Sequence, residues 1–287
     1  MSPRIFLMPF SGGDDEGSAF ITALNLVKEY KAHLDVWHVT PDPLSLVPGE
    51  AVDSNMIAFS EDVKAAYAEG NLENRRRYLK IIQAHGVPDI GTPPLPDIPS
   101  ASFYTASGDA GHVIGVRGRL ADLIVIGRSA KQENTLIDRT IHGALFDSAR
   151  PVLLVPPGTE PKSPSNNILI AWNGSMEAAR TVAFALPYLK GKTVRVITQQ
   201  MEGAEVPELL PSDLAHYLKR HGIDAQSGAC WNKDMTLPDC IIDAALFDRS
   251  DMIVMGAYSH NRIREAIFGG VTDYMLKHAE LPVFMVR

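Results

Sequence analysis

The sequence predicts an α/β protein of two doubly wound, mainly parallel five-stranded sheets in tandem. Two observations carry this. Asp251-Met252-Ile253-Val254-Met255-Gly256 repeats Asp122-Leu123-Ile124-Val125-Ile126-Gly127, and Pro282-Val283-Phe284-Met285-Val286 repeats Pro151-Val152-Leu153-Leu154-Val155. Short apolar runs also alternate with segments of helical periodicity, which demands crossover connections and a parallel sheet.

The first copy begins with a strand over Ile5 to Met8, a helix over Gly17 to Tyr30 and a strand over Leu34 to Val39. A long polar helix is expected from Ser60 to His85, with Arg75, Arg76 and Arg77 on a solvated face. Asp89 to Pro99 is proline-rich and must be a loop, because fixed φ angles exclude helix and central strand. A helix over Asp109 to Arg119 precedes the strand at Asp122, and the copy closes with Val152 to Val155. Residues 1–156 form a first domain, and Pro156 to Ser165, polar and stiffened by proline, is the linker.

The second domain, 166–287, is read more easily. Ile168 to Ala171 is a strand ended by Trp172-Asn173-Gly174, and Ser175 caps a helix carrying Ala178, Val182, Leu186 and Leu189. Thr193 to Thr198 is a β-branched strand. Leu209 to His221 is helical and stops at Gly222. Ile223 to Trp231 supplies a strand, and Thr236 caps a helix with Ile241, Ile242, Ala245 and Leu246 on one side. Asp251 to Met255 is an unbroken apolar strand, buried on both faces. A last helix and the strand from Pro282 complete the unit.

Hydrophobic residues make up 45% and charged residues 21% of the 287 positions, as in an ordinary soluble protein. The net charge of −7 argues against nucleic acid or an anionic membrane as partner. No apolar run reaches the ~18 residues of a membrane span. The start, Met1-Ser2-Pro3-Arg4, enters a strand without the plan of a signal peptide, so the cytoplasm is the expected location. Cys230 and Cys240 are then expected as reduced, buried thiols.

The copies differ in one place. The second keeps a glycine-rich segment, Gly256 to Thr272, between its last two strands. In open parallel sheets ligands bind beyond the carboxyl ends of the strands, where strand order reverses. Glycines there admit backbone N–H groups to an anion, and the next helix offers a positive N-terminus.

Gly256-Ala257-Tyr258-Ser259, nine further residues, and Gly269-Gly270-Val271-Thr272 resemble the fingerprint of the universal stress protein family. The chain looks like a tandem member, with the spacing intact, Ser259 in place of the second glycine and Gly270 in place of a hydroxyl residue. The resemblance implies Rossmann-like domains of the adenine nucleotide alpha-hydrolase-like kind. It also implies a site for ATP or a related adenine nucleotide, with or without Mg.

That site would comprise Ala171, Trp172, Asn173 and Ile197 at the ends of the first two strands of the second domain, together with Met255, Gly256, Ser259, Gly269, Gly270, Val271 and Thr272. Asn173 stands where the family carries aspartate. Trp172 either walls the base or packs in the core. Arg262 and Arg264 either pair with phosphates or are solvated. In the first domain Asp138 replaces the phosphate-binding glycine and Phe10 stands opposite Asn173, so that copy is expected not to bind nucleotide.

No catalytic or metal-ligand set is legible; His260 and His278 have no partners at suitable spacing. The expected function is a regulatory nucleotide switch with weak ATP hydrolysis at most. The alternative is a nucleotide-free dimeric scaffold, or a binder of another small ligand. Family members pair their fifth strands across a two-fold axis. The two halves are therefore expected to pair within the chain around a pseudo-two-fold, and pairing of whole chains into a homodimer is a further expectation.

Overall fold

The structure is a computed structural model that describes residues 2–42, 54–91, 97–129, 135–160, 166–199, 208–230, 235–258 and 270–287. The first repeat contains β1 (Ile5–Pro9), α1 (Gly17–Tyr30), β2 (His33–Thr40), α2 (Ser54–Ala84), β3 (Ser100–Ser107), α3 (Ala110–Gly118), β4 (Leu123–Gly127), α4 (Thr135–Asp147) and β5 (Val152–Val155). The second contains β6 (Asn167–Ala171), α5 (Met176–Leu189), β7 (Thr193–Gln199), α6 (Pro211–Arg220), β8 (Asp224–Cys230), α7 (Leu237–Phe247), β9 (Met252–Gly256), α8 (Val271–His278) and β10 (Val283–Val286).

The helices start where local chemistry satisfies their first N–H groups. Asp109 accepts from His112 N at 2.8 Å, Ser175 from Ala178 N at 3.1 Å and Thr236 from Asp239 N at 3.4 Å. They stop where the chain turns left-handed, at Lys31 (φ 51°) after α1 and Gly222 (φ 75°) beyond α6.

Both repeats are parallel sheets, but they do not remain separate. The order is β3-β2-β1-β4-β5-β10-β9-β6-β7-β8, one sheet of ten strands. Its centre is the antiparallel pair β5 and β10, with Phe284 opposite Leu153. The halves thus pair within the chain, as expected, and the two edge strands cover each other. The same device recurs in each repeat. The Asp122 carboxylate accepts from the N–H groups of Arg4 and Ile5 at 2.7 and 3.0 Å, and that of Asp251 from Asn166 and Asn167 at 2.8 and 3.0 Å.

Side-chain alternation sends Phe6, Met8, Phe284 and Val286 to one face, under α1, α2, α5 and α6. Leu7, Ile124, Val283 and Met285 go to the other, under α3, α4, α7 and α8. Each core layer runs unbroken across the seam between the repeats.

Three sequence expectations need correction. β3 was not foreseen; its serines and alanines carry little strand signal. Arg75 is not merely solvated but pairs with Asp89 at 2.9 Å, and Arg77 donates to the carbonyl of Gly12. Cys240 is disulfide-bonded rather than a reduced thiol. No described helix is long and apolar enough to cross a membrane.

Candidate functional site

β6 lies between β7 and β9, so strand order reverses between β6 and β9, and Ala171 registers directly on Met255 there. This is the crevice that open parallel sheets offer to ligands. Of the residues singled out in the sequence, Ala171, Trp172, Asn173, Ile197, Met255, Gly256, Gly270, Val271 and Thr272 stand at these strand ends and at the start of α8. Ser259, Arg262, Arg264 and Gly269 lie outside the described residues, as does His260.

Each described residue has a definite local role. Trp172 is a core residue, 6% exposed, with its indole N–H on the carbonyl of Leu209 at 3.0 Å. Asn173 is exposed, and its side-chain oxygen accepts from Ser175 N at 3.1 Å, forming the turn that leads into α5. Ile197 and Met255 are buried.

Gly256 is a packing glycine. A Cβ there would come within 2.7 Å of the Ala178 nitrogen, so β9 can pass under the start of α5 only without a side chain. Gly127 occupies the matching place under α1, with Ala19 Cβ 3.2 Å from such an atom. The glycine at the end of the fourth strand is therefore demanded by packing in the second repeat, independently of any ligand, and is closely packed in the first.

The start of α8 is different. Gly270 caps it with no side-chain hydrogen bond, so the cap residue itself covers none of the first-turn N–H groups, and the acidic residue of that turn is Asp273. Thr272 is 7% exposed, and its hydroxyl accepts from Tyr258 N at 3.1 Å while keeping its own proton to donate. Tyr258 takes a left-handed conformation (φ 51°) and donates from its phenol to Asp273 at 2.7 Å. It also meets Phe146 of α4 across the repeats, ring centroids 5.0 Å apart. Tyr258 was not singled out in the sequence; its left-handed backbone and cross-repeat contact exist only in the fold.

The equivalent crevice of the first repeat is filled. Its remaining cavity is about 40 Å³, lined by Phe10, Glu16, Trp37, Ile114, Leu136 and Thr140. Trp37 registers on Pro9 as Ile197 registers on Ala171, so an indole occupies the place of a smaller aliphatic side chain. Asp138 stands exposed in the first turn of α4. The helices above this crevice pack through glycine: a Cβ on Gly143 of α4 would lie 2.1 Å from the carbonyl oxygen of Gly111 in α3. In the second repeat α7 and α8 are instead spaced by Tyr274, whose phenol donates to Asp239 at 2.7 Å.

Glu16 was also missed, although Ser11-Gly12-Gly13 before it is a recognisable nest of N–H donors. Its carboxylate, in a residue 8% exposed, accepts from Ser11 N at 2.9 Å, Gly12 N at 3.0 Å and the Ser11 hydroxyl at 2.9 Å. Burial pushes this carboxyl above its ordinary 4.5, against the opposing pull of those hydrogen bonds. A raised folded value means that the folded state holds the proton more tightly than the unfolded chain. The resulting stabilisation is complete below pH 4.5 and is lost as pH rises through the raised value. Glu16→Gln, uncharged throughout, should flatten the decline of melting temperature above pH 4.5, read as Tm against pH beside the parent protein.

Among the described residues no group of three or more His, Cys, Asp or Glu is arranged to hold a metal ion.

The model of the universal stress protein family matches residues 237–287, which hold α7, β9, α8 and β10. Along its whole length the chain is similar in fold to a universal stress protein from Archaeoglobus fulgidus DSM 4304. The identity is 18% and the TM-score 0.65, over 99% of this chain and 96% of that one. A candidate universal stress protein from Pseudomonas aeruginosa UCBPP-PA14 gives 15% and 0.57, over 99% and 93%. A functionally unknown protein from Pseudomonas aeruginosa PAO1 gives 14% and 0.55, over 99% and 92%. No curated protein matches the sequence. The family model thus matches the part of the chain that holds α8 and β9, and the fold alone is shared with these structures along the whole chain.

Proposed function

We propose that this chain, with the tandem fold of universal stress proteins and their family match over residues 237–287, binds an adenine nucleotide in its second repeat as a regulatory switch. The observation that carries this reading is the bare start of α8: Gly270 caps it without a side chain, beside the strand ends of the β6–β9 switch point. A phosphate there would be met by backbone N–H groups and the positive end of a helix. Thr272 would donate its hydroxyl, Asn173 and Ile197 would flank the base or ribose, and Ser259, Arg262, Arg264 and Gly269 would complete the loop. The first repeat, with Glu16 in its own nest and Trp37 in its crevice, is proposed as a structural copy that takes no nucleotide. Hydrolysis is expected to be slow, because the carboxylate nearest the phosphate position, Asp273 in the first turn of α8, is held by the Tyr258 phenol.

A switch requires that nucleotide favour one arrangement of the loop over another. The described end of that loop, Tyr258, touches α4 of the first repeat, so a change in the loop would be felt across the seam.

The test is thermal denaturation with Mg-ATP. At a hundredfold excess over Kd, binding should add about 2.7 kcal/mol to stability. Gly270→Asp should remove the gain while leaving the apoprotein intact, since aspartate is a good helix cap with a charge that repels phosphate. No shift at millimolar Mg-ATP would sink the proposal. It would favour the second reading, a nucleotide-free scaffold or a binder of another ligand. That reading draws on Asn173 and Thr272 both being engaged in hydrogen bonds of their own loops.

A further inference from the structure

One further space lies in neither crevice. A cavity of about 310 Å³ lies at the opposite end of the sheet, beneath the starts of β4, β6 and β9, where Leu123, Ile168 and Met252 reach it. The C-terminal ends of α1 and α5 close it from the two repeats, and Gly158 to Glu160 cross it as the chain passes between them. Its volume falls at the small end of the range for ligand pockets.

The walls are mostly apolar: Leu26, Leu153, Leu281 and Phe284 with the rings of Tyr30 and Tyr188. Tyr188 is sealed among them, with its hydroxyl closed to the cavity. It is 6% exposed, its ring packs against Tyr30 at 5.3 Å and Phe284 at 5.5 Å, and its hydroxyl has no hydrogen-bond partner among the described residues. Leaving a buried hydroxyl unmatched is costly. Burial above all, then Asp122 and Tyr30, push the phenol upward, so it keeps its proton at physiological pH.

The charges of the cavity are already matched or stand outside it. Lys192, the only cation of the lining among the described residues, is committed to Glu29 across the repeats at 3.0 Å. Asp251 is committed to two backbone N–H groups. Glu160 and Glu280 are exposed at the mouth and add negative charge there. An anion is repelled on approach, and a cation finds no uncommitted carboxylate within.

We propose that this cavity is a second ligand site, for an uncharged, largely apolar molecule. Such a molecule would touch both repeats, wedged between α1 and α5 under the seam strands. The site is independent of the nucleotide reading, at the other end of the strands.

N-phenyl-1-naphthylamine, neutral and fluorescent in apolar surroundings, is a suitable probe, and full-length protein is the sample. The expected result is saturable binding of one probe per chain. Leu26→Trp, filling the cavity from half-buried α1, should abolish it, and Asn25→Trp provides a second filling variant should the first fail to fold. The sulfonated analogue 8-anilinonaphthalene-1-sulfonate should bind about tenfold weaker or less, because its charge would be buried unpaired. Gly270→Asp should leave probe binding unchanged, which separates this site from the nucleotide crevice. The proposal is overturned if no saturable binding occurs, if a folded filling variant binds as the parent does, or if the sulfonate binds as tightly as the neutral probe.

Discussion

Phe284→Ala should lower stability by about 3–5 kcal/mol, the cost of emptying a fully buried aromatic site. Phe284 is 1% exposed, in the middle of β10. It registers on Val254 in its own repeat and on Leu153 in the other, and its ring lies 5.5 Å from that of Tyr188. The side chain therefore belongs to a core shared by both repeats, which neither half completes alone. For a chain of this size the loss corresponds to a fall in Tm on the order of 10 °C. Amide hydrogen exchange should accelerate in β5 as well as in β10, since the two are one ladder. A loss below ~1.5 kcal/mol, or exchange confined to the second repeat, would mean that the seam is a loose contact and not a core.

Gly143→Val is the second large effect, through the opposite mechanism. A Cβ on Gly143 would sit 2.1 Å from the carbonyl oxygen of Gly111, 2.5 Å from its carbon and 2.7 Å from its Cα. All three are backbone atoms, so no rotamer change relieves the clash and α3 and α4 must move apart. Gly111 is constrained reciprocally, with the Arg139 carbonyl oxygen 2.5 Å from an added Cβ. The expected cost is about 3 kcal/mol, at the upper end for overpacking, measured by urea unfolding. Separating the helices should also loosen the lid over the first crevice, so Trp37 fluorescence should shift in the folded variant. If Gly143→Val were neutral, the close approach of α3 and α4 would not be what closes that crevice.

Most of the architecture could be read from the sequence because it is periodic. α1 spans the predicted residues, and Ser175 and Thr236 cap the helices assigned to them. Two kinds of feature escaped. β3 is built from serine, alanine and threonine with two aromatics, a composition that follows the neighbouring strand more than any propensity of its own. The other features depend on residues remote in sequence: the Tyr258–Phe146 contact, the glycine-to-glycine approach of α3 and α4, and the cavity under Tyr188. At the candidate site the sequence distinguishes the two copies through Asp138. Phe10 does not stand opposite Asn173 as expected: the strand register sets it against Trp172, a buried ring like itself, and sets Ser11 against Asn173. The sequence did not reveal that Trp37 stands in the place of Ile197, which needs the strand register, nor that Gly256 is required by the start of α5.

The antiparallel joint of β5 and β10 has a consequence for how the copies can change. When two identical chains meet at such a joint, every substitution appears twice, and a residue that spoils one crevice spoils both. Joining the halves in one polypeptide lifts that symmetry. Trp37 and Glu16 can fill one crevice while Ile197 and Gly270 stand at the strand and helix ends of the other, and the shared sheet still closes. The covalent pair is thus a means of holding two different crevices in a frame whose geometry was made for two equal ones.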